Sequence, residues 1–114
     1  MTAQMNIPTQ MTFFARFEKD ILAGKKVITI RDESEKDYQV GSIVDVSTLE
    51  ESRWFCQLRI DSVTSILFEA LDQYHADQEN MALDELKNII EEIYPNKGQL
   101  YVIAYQLVGV VVKE

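Results

Sequence analysis

The stretch WFCQLRIDSV, residues 54–63, decides the fold of this chain. Trp54, Cys56, Leu58 and Ile60 alternate with Gln57, Arg59 and Asp61, the two-residue period of a strand that turns one face to a core. Upstream, residues 49–53 read as a hairpin connection to a second strand at residues 43–47, where Val44 and Val46 alternate with Asp45 and Ser47. A strongly polar loop, residues 32–41, separates this pair from VITIR, residues 27–31, whose β-branched side chains favour a strand. Before it, Thr12 is a candidate cap for a helix with Phe14, Phe17 and Ile21 on one stripe, flanked by Phe13 and Leu22, and Gly24 stands where a helix ends.

Downstream, a helical region begins near Leu67, and residues 83–94 are its clearer half. Leu83, Leu86, Ile90 and Ile93 form a stripe opposed by Asp84, Lys87, Asn88, Glu91 and Glu92. Pro95 stops that helix and Gly98 supports a turn. Residues 100–108, LYVIAYQLV, are apolar on both faces, as in a central strand covered on both sides. Strands far apart in sequence must then pair, and the expected class is α+β: a small mixed barrel or sheet with helices packed on it.

The 114 residues suit one domain spanning 1–114, with a polar lead at 1–11 and an extension at 109–114 to which no function attaches. With 46% hydrophobic and 26% charged residues the composition is that of a folded globule. One cysteine, Cys56, excludes an internal disulfide framework and suits a reducing compartment. Residues 1–11 carry neither a basic cluster nor an apolar core of signal-peptide length, and the apolar stretch near the C-terminus is too short to span a bilayer. The expected location is the cytoplasm. The formal net charge of −8 disfavours extended nucleic acid as a partner, since phosphates are bound largely by Lys and Arg.

The single histidine, His75, with one cysteine falls short of a protein zinc site, so no metal is expected. The four glycines, at 24, 41, 98 and 109, are isolated, which excludes a phosphate-cradling loop, and no Gly-x-Ser-x-Gly elbow occurs. No cofactor motif remains.

Five blocks carry the reading further: TFFARFEKDILAGKKVITIRDESE at 12–35, WFC at 54–56, HADQENM at 75–81, LDELKNIIEEIYP at 83–95 and LYVIAYQL at 100–107. In this order they resemble the bacterial N4-acetylcytidine amidohydrolases, a group within the activating-signal-cointegrator homology (ASCH) domains. The resemblance implies a PUA-like mixed β-barrel flanked by helices. It also implies hydrolysis of the exocyclic acetyl amide of N4-acetylcytidine, a small-molecule nucleoside, to cytidine and acetate. The family's lysine base, threonine nucleophile and glutamate proton donor fall on Lys26, Thr29 and Glu79.

These roles are chemically coherent. A threonine hydroxyl attacks only when a neighbour takes its proton, and a lysine does so only when burial or nearby positive charge keeps it neutral. A carboxylic acid then supplies the proton that the departing cytosine nitrogen needs. On an ideal strand Lys26 and Thr29 face opposite ways, so Lys26 is expected in the turn after Gly24, ahead of regular pleating.

Arg31 shares the Thr29 face and is a candidate for holding the cytosine carbonyl or the product acetate; pairing with Asp32 or Glu33 is the alternative. Phe13 and Phe14 fit either core packing, which is favoured, or stacking on a base. His75 suits a structural role near Glu79, and Cys56 reads as a small core residue. Asp32, Glu33, Glu35 and Asp37 read as a solvated rim. The rival functions are a non-catalytic RNA-binding PUA-like module, which the acidic charge disfavours, and an interaction domain with vestigial residues, which intact Lys26, Thr29 and Glu79 disfavour. Fluorescence anisotropy with labelled single-stranded and duplex RNA at physiological salt is expected to detect no binding; a micromolar, salt-sensitive signal would contradict the charge argument.

Overall fold

The computed structural model describes residues 7–96 and 98–110, with the backbone alone at Val110. Five strands form one mixed sheet: β1 (Gln10–Phe13), β2 (Ile28–Arg31), β3 (Ile43–Thr48), β4 (Trp54–Leu67) and β5 (Gln99–Val110). Their spatial order is β1-β3-β4-β5-β2. The helices are α1 (Glu18–Leu22), α2 (Gln73–Gln78) and α3 (Leu83–Ile93), with 3-10 turns at Ala15–Phe17, Glu33–Glu35 and Phe68–Ala70. No helix among the described residues is long and apolar enough to cross a membrane.

Strand β4 is the spine. Its first half pairs antiparallel with β3, from Ile43↔Arg59 to Ser47↔Trp54. From Cys56 onward it pairs antiparallel with β5, from Cys56↔Val110 to Leu67↔Gln99. Val44, Val46, Cys56, Leu58 and Ile60 meet on the inner face and exclude solvent. A bulge where β4 meets the Val46/Ser47 step leaves Phe55 unpaired and turns it into the core. Trp54, expected on the apolar face, is thereby set outside, where its indole N–H donates to Asp45 Oδ1 at 3.0 Å.

Two apolar clusters hold the fold. One gathers the β3 and β4 residues with Met11, Phe13 and Ile21; the other gathers Ile28 and Ile30 with Leu71, Ala76, Leu86 and Ile90. Strand β5 separates them, giving Ile103 and Tyr105 to the first and Leu100 to the second. The two-sided burial expected for residues 100–108 therefore holds up to Tyr105, and Gln106, Leu107 and Val108 are exposed. Gly109 and Val110 lengthen β5, and the rest of the extension lies outside the described residues.

Three further expectations change. Thr12 caps no helix: residues 10–13 form β1, which adds in parallel to β3 from Gln10↔Asp45 to Phe13↔Thr48. Inward Met11 and Phe13 alternate with exposed Gln10 and Thr12, so strand pairing and core burial override the helical spacing, and α1 shrinks to Glu18–Leu22. The polar lead likewise ends before Gln10. The helical region expected from Leu67 begins later, because β4 runs to Leu67 against β5.

The outer strands β1 and β2 close on each other without a ladder among the described residues. Instead Arg31 Nη2 donates to the Thr12 carbonyl at 2.8 Å, so the sheet curls into a barrel completed by a side chain.

Cys56 is fully enclosed, and burial, reinforced by the Glu18 charge, pushes its thiol up to about 12. At pH 8 the native protein is expected to release no thionitrobenzoate from Ellman's reagent, while denatured chain titrates its one thiol. Rapid labelling of the native protein would contradict this packing.

Candidate active site

Lys26 owes its place to how α1 ends. Gly24 takes φ +74°, a left-handed conformation that glycine adopts without Cβ strain. The backbone N–H groups of Lys25 and Lys26 then both donate to the Asp20 carbonyl, at 2.9 and 3.2 Å. Lys26 thus lies in an irregular turn ahead of β2, where the sequence led us to expect it. Val27 N–H donates to the Gln78 carbonyl at 2.9 Å, tying this turn to the end of α2. The Tyr105 hydroxyl donates to the Lys26 carbonyl at 3.1 Å from the other side.

Glu79 follows the last residue of α2, its N–H bonded back to the His75 and Ala76 carbonyls. The start of α2 is a capping box: Tyr74 N–H donates to Asp72 Oδ1 at 3.0 Å, and Asp72 N–H donates to His75 Nδ1 at 3.2 Å. His75 therefore stabilises the short helix that carries Glu79. The Lys26 ammonium reaches the Glu79 carboxylate directly and also donates to the Ile28 carbonyl at 2.8 Å.

Thr29 and Arg31 alternate along β2 and are both buried. Arg31 Nε donates to Thr29 Oγ1 at 2.8 Å, and Nη1 donates to Glu35 Oε1 at 2.6 Å. The Tyr94 hydroxyl, just past α3, donates to Glu35 Oε2 at 3.2 Å. The Phe13 ring lies under both cations, 4.9 Å from Arg31 Cζ and 5.4 Å from Lys26 Nζ, and Phe17 is 5.2 Å from Nζ.

Of the buried polar or charged side chains Lys26, Thr29, Arg31, Thr48 and Glu79, all but Thr48 are candidate site residues. Those four line one cavity of ≈ 310 Å³. Its far wall is apolar, built from Met81, Leu86, Ile89 and Ile90, with Phe14, Leu49 and Ile93 also lining it. Lys26 and Glu79 touch, as do Thr29 and Arg31, but no hydrogen bond joins Lys26 to Thr29. Burial holds the Lys26 amine below its ordinary value; the Glu79 charge opposes this and the Arg31 charge adds to it. Burial and the adjacent Glu35 raise Tyr94 to about 12, so its hydroxyl stays a donor.

The structure departs from expectation at Glu35. It is more than a rim residue: its half-buried side chain lines the cavity and pairs with Arg31. The signal was the four-residue spacing from Arg31 to Glu35, compatible with a tight turn. Tyr94, read only as a helix end, also lines the cavity. Phe13 is a core residue, and Phe14 lies on the cavity wall. Among the described residues no cluster of three His, Cys, Asp or Glu side chains could hold a metal ion.

The fold is that of an ASCH domain. The ASCH domain of Lactobacillus crispatus JV V101 superimposes with a TM-score of 0.71 at 16% identity, over 89% of this chain and 80% of that one. The ASCH protein of Zymomonas mobilis does so at 0.67 and 8% identity, over 90% and 72%. No protein-family model matches the chain. Sequence relatives go further. The N(4)-acetylcytidine amidohydrolase of Vibrio vulnificus strain CMCP6 is 68% identical over 104 residues, 91% of this chain and 100% of the relative. The one of Haemophilus influenzae strain 86-028NP is 46% identical over 102 residues, 90% and 98% of the two chains. This chain belongs to the N(4)-acetylcytidine amidohydrolase family.

Removing one member of a buried ion pair leaves the other charged and unsolvated. Glu79→Ala is expected to cost about 3–5 kcal/mol in urea denaturation, and the double change Lys26→Met, Glu79→Leu distinctly less. Equal losses would show that the pair's burial is not what the fold must compensate.

Proposed function

We propose that this protein hydrolyses the exocyclic acetyl amide of N4-acetylcytidine, with Thr29 as nucleophile, Lys26 as base and Glu79 as proton donor. The observation that carries the reading is the convergence of these three buried side chains on one cavity, in a chain 68% identical to a named amidohydrolase. A volume of ≈ 310 Å³ lies at the small end of the roughly 300–1,000 Å³ usual for ligand pockets. That size suits a nucleoside rather than a polynucleotide.

The steps follow from proton bookkeeping. Transfer of the ammonium proton of Lys26 to the Glu79 carboxylate it touches would leave Lys26 a neutral base and Glu79 an acid. Lys26 takes the Thr29 hydroxyl proton as Oγ1 attacks the acetyl carbon. Arg31, already bonded to Oγ1, holds the carbonyl oxygen as it becomes anionic. Glu79 protonates the exocyclic nitrogen, the C–N bond breaks, and cytidine leaves an acetyl ester on Thr29. The Lys26 proton returns to Glu79, and Lys26 then activates water, which releases acetate and restores the hydroxyl. The cytoplasm, where cytidine derivatives and a reduced Cys56 coexist, is the fitting location.

Chromatography of cytidine released from N4-acetylcytidine tests this reading. Thr29→Val and Lys26→Met are expected to abolish turnover in folded protein, and Lys26→Arg not to restore it, because guanidinium does not accept the proton. Glu79→Gln is expected to slow release strongly, and a chelator to leave the rate unchanged. The active pair carries one proton, which Glu79 must donate, so kcat/KM falls as pH rises through the Lys26 ionisation and that proton is lost. Burial sets that limb below the ordinary 10.5. Near-normal turnover by folded Thr29→Val would refute covalent attack.

A further inference from the structure

We propose that Glu35 is a positioning residue for this reaction: together with Tyr94 it fixes the Arg31 guanidinium so that Nε presents its hydrogen to Thr29 Oγ1. The inference rests on the function proposed above and adds a residue outside its catalytic set.

Guanidinium is planar, and each of the three Arg31 nitrogens has one partner: Nε on Thr29 Oγ1, Nη1 on Glu35 Oε1 and Nη2 on the Thr12 carbonyl. The first is the group to be aimed. The other two are the anchors, and Glu35 is the one that a side chain provides. Without it the guanidinium keeps only the Thr12 bond and the Phe13 ring beneath it, and the Nε–H direction is no longer fixed by a second anchor. With it, Nε can only donate, so a Thr29 lone pair is engaged and the hydroxyl hydrogen is left for a base in the cavity.

Glu35 is itself held at both oxygens. Ser34 N–H donates to Asp32 Oδ1 at 3.0 Å, closing the 3-10 turn that brings Glu35 back over Arg31. Tyr94 bonds Oε2, so the arrangement runs from the end of α3 through Glu35 and Arg31 to the nucleophile. The Arg31–Glu35 pair is also neutral as a unit, which keeps the guanidinium from wandering toward another anion.

The test compares steady-state turnover of N4-acetylcytidine with the state of Arg31 itself. Glu35→Ala is expected to lower kcat about 10- to 100-fold, the order of loss for a misplaced catalytic group, with KM changed less than about threefold. Glu35→Gln, whose amide oxygen still accepts, is expected to recover part of the loss, and Tyr94→Phe to lose less than Glu35→Ala. In an Arg31→Met background, Glu35→Ala is expected to have almost no further effect, since its whole action passes through the guanidinium. Without substrate, the Arg31 Nε–H resonance in nitrogen-15 spectra is expected to be slow to exchange in wild type and Glu35→Gln and lost in Glu35→Ala. An unchanged resonance in Glu35→Ala overturns the proposal. So does a raised KM at constant kcat, which would mean direct substrate contact. Equal losses with and without Arg31, or unchanged kinetics in Glu35→Ala, overturn it as well. Absence of turnover by the wild-type protein overturns only the assigned reaction, because the Nε resonance reports the positioning without substrate.

Discussion

The ammonium of Lys26 cannot be taken out of water alone, and much of the architecture answers that constraint. Desolvating an isolated charge costs several kcal/mol even after relaxation, so a counter-charge must arrive with it. The Glu79 carboxylate does, from a segment more than fifty residues away in the chain. Bringing it there requires the Gly24 turn, the capping box of α2 and the Val27 bond to the Gln78 carbonyl. The same enclosure that makes the ion pair necessary draws its amine toward neutrality. Stability and basicity are thus set by one act of burial.

The cavity repeats this balance at its second cation. Arg31 is matched by Glu35 as Lys26 is matched by Glu79, so the formal charges on these four groups cancel within a protein of net charge −8. Phe13 separates the two pairs, offering its ring to both cations at ≈ 5 Å. A neutral pocket with fixed internal dipoles suits an uncharged substrate.

Much of this was legible in residues 54–63 and 83–94, where periodicity follows burial: Cys56, Leu58 and Ile60 point inward, as do Leu86 and Ile90. The α+β class followed from such segments, and the family resemblance supplied Lys26, Thr29 and Glu79, which periodicity alone could not distinguish from surface or strand residues. What escaped was decided by partners distant in sequence. Residues 12–21 have helical spacing, yet Met11 and Phe13 gain more by joining β3. Trp54 follows the strand pattern, yet a bulge opposite Val46 and Ser47 reverses it. Glu35 sits among acidic neighbours, its spacing from Arg31 the sole sign, and only the fold of β2 onto the following turn reveals their pairing.

The bond from Arg31 to the Thr12 carbonyl has a consequence for how this molecule fails. It is the seam of the barrel, and the same guanidinium steadies Thr29. A backbone acceptor cannot be removed by changing a side chain, so the seam does not depend on the Thr12 hydroxyl. It is nevertheless a single stitch, where the other strand junctions are ladders. The closure of β1 on β2 and the donor to Thr29 thus rest on one side chain, while the β4–β5 spine stands on its own ladder. Whatever displaces this one guanidinium both opens the closure between β1 and β2 and releases Thr29, a failure that the β4–β5 ladder does not share.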